Sequence, residues 1–153
     1  MTQFEQFHAA LDLKQISEFI FSFKPDPKYS VGNTPHGGYL LALMNKALTS
    51  VIPHQSLINS NIYYLDRTEP EQAELHVEVM RTSRGTSMGQ VKLMQNDKLT
   101  CLCSALCSDF EHMKGYSGLS TPLPKIMHSV SKEDFKVMNY ENFKIGSTPS
   151  FIQ

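Results

Sequence analysis

The chain has 153 residues, of which 19% are charged, and a formal net charge of −1 at pH 7. That length predicts one domain with a sizeable core. So balanced a charge leaves no basic face for a phosphate backbone, which excludes nucleic acid as a partner. No apolar run reaches the roughly 18 residues of a membrane span, and residues 1–6 show no basic segment leading into an apolar one, so neither a membrane segment nor a secretion signal is expected.

Residues 1–32 mix polar and apolar positions and end at the breakers Pro25, Asp26 and Pro27. Within them Phe19, Ile20, Phe21, Ser22 and Phe23 are rich in aromatic and β-branched side chains, which predicts a strand. The loop Asn33-Thr34-Pro35 then runs into His36-Gly37-Gly38-Tyr39 and a helix over residues 36–52. Its polar positions Asn45, Lys46, Thr49 and Ser50 make one narrow stripe and the rest is apolar, the pattern of a mostly buried helix. Pro53 ends it. Gly37 and Gly38 at the helix start let a ligand approach the backbone without a Cβ in the way. The unpaired amides of the first turn favour an oxygen that carries or develops negative charge.

Strands follow. Residues 56–66 hold Leu57, Ile58, Ile62, Tyr63, Tyr64 and Leu65. Residues 73–81 alternate, with Leu75, Val77 and Val79 on one face and Glu74, His76 and Glu78 on the other. Ser83-Arg84-Gly85-Thr86 reads as a bulge or bend in or beside a strand. Residues 88–95 form the next strand, Asn96-Asp97-Lys98 a hairpin turn, and residues 99–110 the last strand. One buried helix followed by an antiparallel meander predicts an α+β domain with the sheet curled around the helix.

Three cysteines, Cys101, Cys103 and Cys107, make no disulfide framework and fit a reduced, cytoplasmic protein. Cys101 and Cys103 share a strand face and read as small apolar residues. The row Glu74, His76, Glu78 resembles metal ligands but is explained better as an exposed sheet face, so no metal is expected. His54, His112 and His128 stand alone in the sequence. GxSxG, P-loop and dinucleotide motifs are missing.

From residue 113 the character changes. Gly115, Ser117, Gly118, Ser120, Pro122 and Pro124 read as a linker, Ser131 caps a short helix, and Ser150-Phe151-Ile152-Gln153 reads as the first residues of a strand. The expected organisation is one domain over 1–112, then a linker and the start of a second unit over 113–153.

The order Gly37-Gly38-Tyr39-Leu40-Leu41-Ala42, a strand, then Arg81-Thr82-Ser83-Arg84-Gly85-Thr86 leading into a hairpin, resembles the hotdog-fold acyl-CoA thioesterases, the TesB-like double-hotdog group in particular. Pro122-Leu123-Pro124-Lys125-Ile126 is similar to that group's connection to a second hotdog. The resemblance implies a hotdog fold, an antiparallel sheet wrapped around one long helix, and an acyl-CoA thioester as substrate, with no metal or redox cofactor. It implies that the Gly37 or Gly38 amide polarises the thioester carbonyl. His36 and Tyr39 would contact substrate, and Arg84, with Gly85 beside it, would meet a CoA phosphate. In relatives with a His-Gly-Gly start a catalytic Asp or Glu stands nine residues after the His, and that position here is Asn45. An amide has no accessible protonation change and does not act as a general base. In the double-hotdog enzymes the catalytic Asp, Thr and Gln lie in the second hotdog.

Each residue also has a structural role open to it: His36 as a loop cap, Gly37 and Gly38 for close packing of helix on sheet, Asn45 as a satisfied polar site, Arg84 as a solvated strand end. Two readings follow. The first is a thioester hydrolase in which Gly37 and Gly38 hold the carbonyl oxygen and Asn45 the attacking water. The second is a non-catalytic acyl-binding half that completes another hotdog. A hydratase would be expected to use an Asp–His pair near the helix start, and no Asp stands beside His36. Either of the two readings expects pairing, as a homo-oligomer or with a second hotdog, because a lone sheet leaves an open edge.

Overall fold

The computed structural model of the chain describes residues 2–115 together with Gly118 and Thr121. The linker prolines, the cap at Ser131, His128 and the strand start at Ser150 lie outside the described residues. Helix α1 (Gln3–Ala10) opens the chain; the sequence reading placed no helix here. Its signal was the spacing Thr2-x-x-Glu5. Thr2 Oγ1 accepts from the Glu5 amide at 3.2 Å and a Glu5 carboxylate oxygen accepts from the Thr2 amide at 2.7 Å, a reciprocal capping box. None of its residues is fully buried, so the apolar stripe that usually betrays a helix is weak.

After α1 come β1 (Lys14–Ser17), β2 (Ile20–Phe23), a short ribbon of β3 (Ser30–Val31) with β4 (Thr34–Pro35), helix α2 (Gly37–Thr49), and the long strands β5 (Ser56–Tyr64), β6 (Ala73–Thr82), β7 (Thr86–Gln95) and β8 (Lys98–Ser108). Six strands make one sheet in the order β1-β2-β6-β7-β8-β5, and every neighbouring pair is antiparallel. Helix α2 lies on β5, β6, β7 and β8. Its Tyr39, Leu40, Leu43, Met44, Ala47 and Leu48 are buried against inward Phe21, Leu75, Val91, Leu93 and the three cysteines. This is the α+β arrangement expected, a sheet curled around one buried helix.

The boundaries move for local reasons. Helix α2 stops at Thr49 rather than 52, because Thr49 Oγ1 and Ser50 Oγ donate back to the carbonyls of Asn45 and Lys46 and the next amide, of Val51, tightens onto Leu48 O at 3.1 Å. Strand β5 stops at Tyr64 rather than 66, because the amides of Leu65 and Asp66 both turn onto Thr100 O. Ser83-Arg84-Gly85 is the loop of the β6–β7 hairpin, closed by Ser83 Oγ bonding to Thr86 O at 3.0 Å; the register break lies earlier, between Val79 and Arg81. Asn96 and Asp97 turn with φ of 51° and 60°, the left-handed pair that a two-residue hairpin needs.

Gly89 on β7 shows how tightly α2 sits. A Cβ there would come within 3.0 Å of Glu78 O and 2.5 Å of Leu48 Cδ1. Backbone on one side and a fully buried leucine on the other leave little room to give, so Gly89→Ala is expected to cost about 1–3 kcal/mol by urea denaturation.

The three cysteines are free and fully buried, and burial pushes each thiol above its usual pKa of 9.0. Above pH 9 the unfolded chain therefore loses these protons while the folded chain keeps them, and stability falls as pH rises. Denaturation followed from pH 7 to 10.5 should show a flat region and then a decline, and replacing all three by Ala should flatten the decline at a modest cost in stability near neutrality.

Candidate functional site

His36 is the N-cap of α2. It arrives there because its amide donates to Tyr29 O at 2.7 Å, which ties the β3–β4 ribbon to the helix start. Its Nδ1 accepts from the Gly38 amide at 3.1 Å, so the Gly38 N–H is spent on the cap. Among the described residues no acceptor takes the Gly37 N–H. Of the two glycine amides, Gly37 is the one left to bind an oxygen.

Gly37 lines a pocket of about 450 Å³ with Thr34, Pro35, Leu40, Tyr64, Asp66, Arg67 and Thr68. The Tyr64 ring lies directly on Gly37: a methyl group there would overlap its hydroxyl and approach Cζ to 2.7 Å. Only glycine permits this approach. Tyr64 is opposite Cys101 across the β5–β8 pair, on the sheet face that carries α2. Its partial burial, with smaller contributions from Cys101 and Cys103, pushes its pKa above 10.0, so the phenol keeps its proton at neutral pH. Asp66 is the pocket's carboxylate; one oxygen accepts from the Arg67 amide at 2.7 Å and the other lies 3.9 Å from Lys98 Nζ. Thr68 Oγ1 donates to Thr100 Oγ1 at 3.0 Å.

The other residues singled out in the sequence lie elsewhere. Tyr39 is buried; its hydroxyl donates to Ala10 O at 2.7 Å and accepts from the Asp26 amide at 3.2 Å, and its ring stacks on Tyr29. That places it in the packing of α1 on α2 and away from the pocket lining. Asn45 stands eight residues beyond Gly37, about 12 Å along the helix. It faces β5 and β8, where Ser60 Oγ donates to its Oδ1 at 2.8 Å. Arg84 and Gly85 lie in the exposed β6–β7 loop. Arg84 O bonds with His54 Nε2 at 3.3 Å, and His54 follows the C-terminal end of α2, so this loop is a helix length of about 20 Å from Gly37. The structure brings together none of Gly37, Asn45 and Arg84 within one chain.

His54 is not isolated: it is buried, with Nδ1 2.8 Å from Ser87 Oγ. The ring pins the β6–β7 hairpin to the end of α2, a contact across 33 residues that sequence spacing does not reveal. Glu74, His76 and Glu78 are as expected on the outer face, where His76 Nε2 bonds to Glu74 at 2.7 Å, and no group of three candidate ligands for a metal occurs among the described residues. The sequence reading missed Tyr64, Asp66 and Thr68. Its one usable signal was the period of β5, which puts Ser60, Ile62 and Tyr64 on a single face.

An antiparallel sheet curled around a buried helix is the hotdog class of fold. A hotdog-fold protein of unknown function from Alicyclobacillus acidocaldarius superposes with a TM-score of 0.77 at 15% identity, over 96% of this chain and 52% of that one. The tesB protein of Mycobacterium avium subsp. paratuberculosis gives 0.65 at 17% identity, over 81% and 49%. A mutant of the phenylacetic acid degradation protein PaaI from Thermus thermophilus gives 0.59 at 20% identity, over 69% and 99%. At such identities the likeness shows the fold, and the chain spans about half the length of the first two proteins. Curated proteins give no match. Residues 25–108 match the acyl-CoA thioesterase N-terminal domain, and the chain belongs to that family.

Proposed function

We propose that the chain is a TesB-like hotdog module that takes an acyl-CoA thioester at the start of α2, as a cytoplasmic protein whose thiols stay reduced, and hydrolyses it slowly. The observation that carries this is Gly37, the first residue of α2, whose amide has no acceptor among the described residues and which lines a pocket of about 450 Å³. An oxyanion donor of this kind contributes on the order of 3 kcal/mol to lowering the barrier. In this reading Gly37 receives the thioester carbonyl, Leu40 and Pro35 supply apolar wall, and Asn45 occupies the place where relatives with a His-Gly-Gly start carry an acid. Gly38 supports the site through the His36 cap.

Asn45 and Gly37 of one chain are too far apart to serve one reacting carbon, so the complete site takes a second hotdog. Strand β5 offers the means. It is a nine-residue edge strand without a charge or a proline, paired on one side only, and it exposes Ile58, Tyr63 and Tyr64. Unblunted edges of this kind pair with another strand. A homodimer is expected at tens of micromolar by sedimentation. Ile58→Lys with Tyr63→Lys should shift it toward monomer; a wild-type monomer throughout that range would refute the pairing.

A second reading, an acyl-binding half without catalysis, is favoured by the missing carboxylate at Asn45. Thiol release from a panel of acyl-CoAs, run beside calorimetric binding of the same panel, separates the two. Binding with slow release supports the hydrolase, binding without release supports the acyl-binding half, and neither binding nor release defeats both.

A further inference from the structure

Asn45 is half-buried on the stripe of α2 that the sheet does not cover fully. Its carbonyl oxygen is the shared acceptor of a small cluster. Ser60 Oγ donates to Oδ1 at 2.8 Å, Cys103 Sγ approaches the same atom at 3.7 Å, and Ser60 and Cys103 lie 3.5 Å from each other. A carbonyl oxygen has two lone pairs, and both are directed into protein. The –NH2 group is different. It has no acceptor among the described residues, yet it is not a buried unsatisfied group, the one such side-chain atom among them being Ser30 Oγ. It therefore reaches solvent.

We propose that Ser60 is a positioning residue that locks the Asn45 amide with –NH2 outward, so that Asn45 meets an acyl-CoA thioester, or the water beside it, as a hydrogen-bond donor and not as an acceptor. This rests on the acyl-CoA reading above and says which end of the Asn45 amide faces the ligand. Turning the amide over would leave Ser60 Oγ able to accept from its nitrogen, but it would take away the carbonyl oxygen on which the Ser60 hydroxyl and the Cys103 thiol now converge. A water whose oxygen accepts from Asn45 has a lone pair tied up and no base to take its proton. The geometry thus suits holding a thioester oxygen better than activating water. It also explains how a carboxylate at this position would be aimed: one oxygen would take the Ser60 bond and the other would face outward, where the amide nitrogen now lies.

The test is an NMR titration with two arms. In Asn45→Asp, the carboxyl carbon at position 45 is followed against pH, alone and combined with Ser60→Ala or Ser60→Thr. A hydroxyl donating to the charged form lowers a carboxyl pKa, so Ser60→Ala should raise it by about one unit and Ser60→Thr should restore it. A merely structural serine would leave the titration where it was, and an unchanged value overturns the proposal. In the wild type, the Asn45 side-chain amide resonances are followed while an acyl-CoA analogue is added whose thioester sulfur is replaced by methylene. A shift of those resonances at saturation supports the donor role; saturable binding that leaves them unmoved overturns it. If the analogue does not bind at all, the acyl-CoA reading fails and the donor role falls with it, whereas the hold of Ser60 on position 45 is still decided by the titration.

Discussion

Asn45→Asp is expected to raise kcat for acyl-CoA hydrolysis by roughly a hundred-fold or more, within the hundred- to ten-thousand-fold span of general acid–base help. The substitution changes one amide to a carboxylate of nearly the same shape, so Ser60 Oγ, now 2.8 Å from Oδ1, keeps its acceptor. What the chain gains is a group able to take a proton from water. KM should rise modestly, because the outward –NH2 is replaced by an oxygen that cannot donate, while Gly37 and the pocket walls are untouched. Asn45→Ala should lower any residual rate by removing the polar contact that α2 makes from this position. A silent Asn45→Asp in a wild type that already hydrolyses acyl-CoA briskly would mean that position 45 is not at the reacting centre. Asp66→Asn is the matched control, since Asp66 is the carboxylate that lines the pocket.

Gly37→Ala should weaken acyl-CoA binding at least ten-fold and depress any turnover in step, whereas Gly38→Ala should change either by less than three-fold. The two substitutions are chemically identical and differ only in what the new methyl meets. At Gly37 it runs into the Tyr64 ring, 2.7 Å from Cζ, and Tyr64 must swing away across the pocket. At Gly38 it comes to 3.3 Å from the His36 ring, an approach that a shift of a few tenths of an ångström relieves. A ten-fold loss of affinity corresponds to about 1.4 kcal/mol, a modest demand for displacing an aromatic ring that forms one wall of a site. Tyr64→Ala in the Gly37→Ala background should recover part of the loss, because the clash is then gone. Calorimetric titration with the methylene analogue reads all three variants, and equal effects of the two glycine substitutions would place the ligand elsewhere.

Much of the fold was legible because it is written in period. The alternation of Leu75, Val77 and Val79 against Glu74, His76 and Glu78 gives β6 and its faces, and Asn96-Asp97-Lys98 gives the hairpin turn, although Lys98 already belongs to β8 and only Asn96 and Asp97 have the left-handed φ. The apolar girth of α2 gives its burial. Helix α1 was not legible by that route, since it packs by single aromatics such as Phe7 on Tyr29 and announces itself only in the Thr2–Glu5 cap. The site was legible in part. Gly37 and Gly38 stand out as candidates by their place at the helix start and Asn45 by the resemblance, but the division of labour between the two glycines does not. That depends on the rotamer of His36, which spends one amide and leaves the other. Tyr39 looked like a substrate contact because it follows the glycines; its hydroxyl is instead held by Ala10 O and the Asp26 amide, partners 29 and 13 residues away that no local pattern reveals. Tyr64 and Asp66 were missed because the pocket joins the start of α2 to the end of β5, a meeting created by strand pairing. Arg84 was placed near the site by its chemistry alone, and the helix length separates them.

The most direct test of the account is a crystal structure of the chain with an acyl-CoA analogue in which methylene replaces the thioester sulfur and the carbonyl is kept. The ketone oxygen is expected about 3 Å from the Gly37 amide nitrogen, beside Tyr64 and with the pocket occupied. A well-ordered analogue whose carbonyl sits elsewhere, with the Gly37 amide facing water, would contradict it.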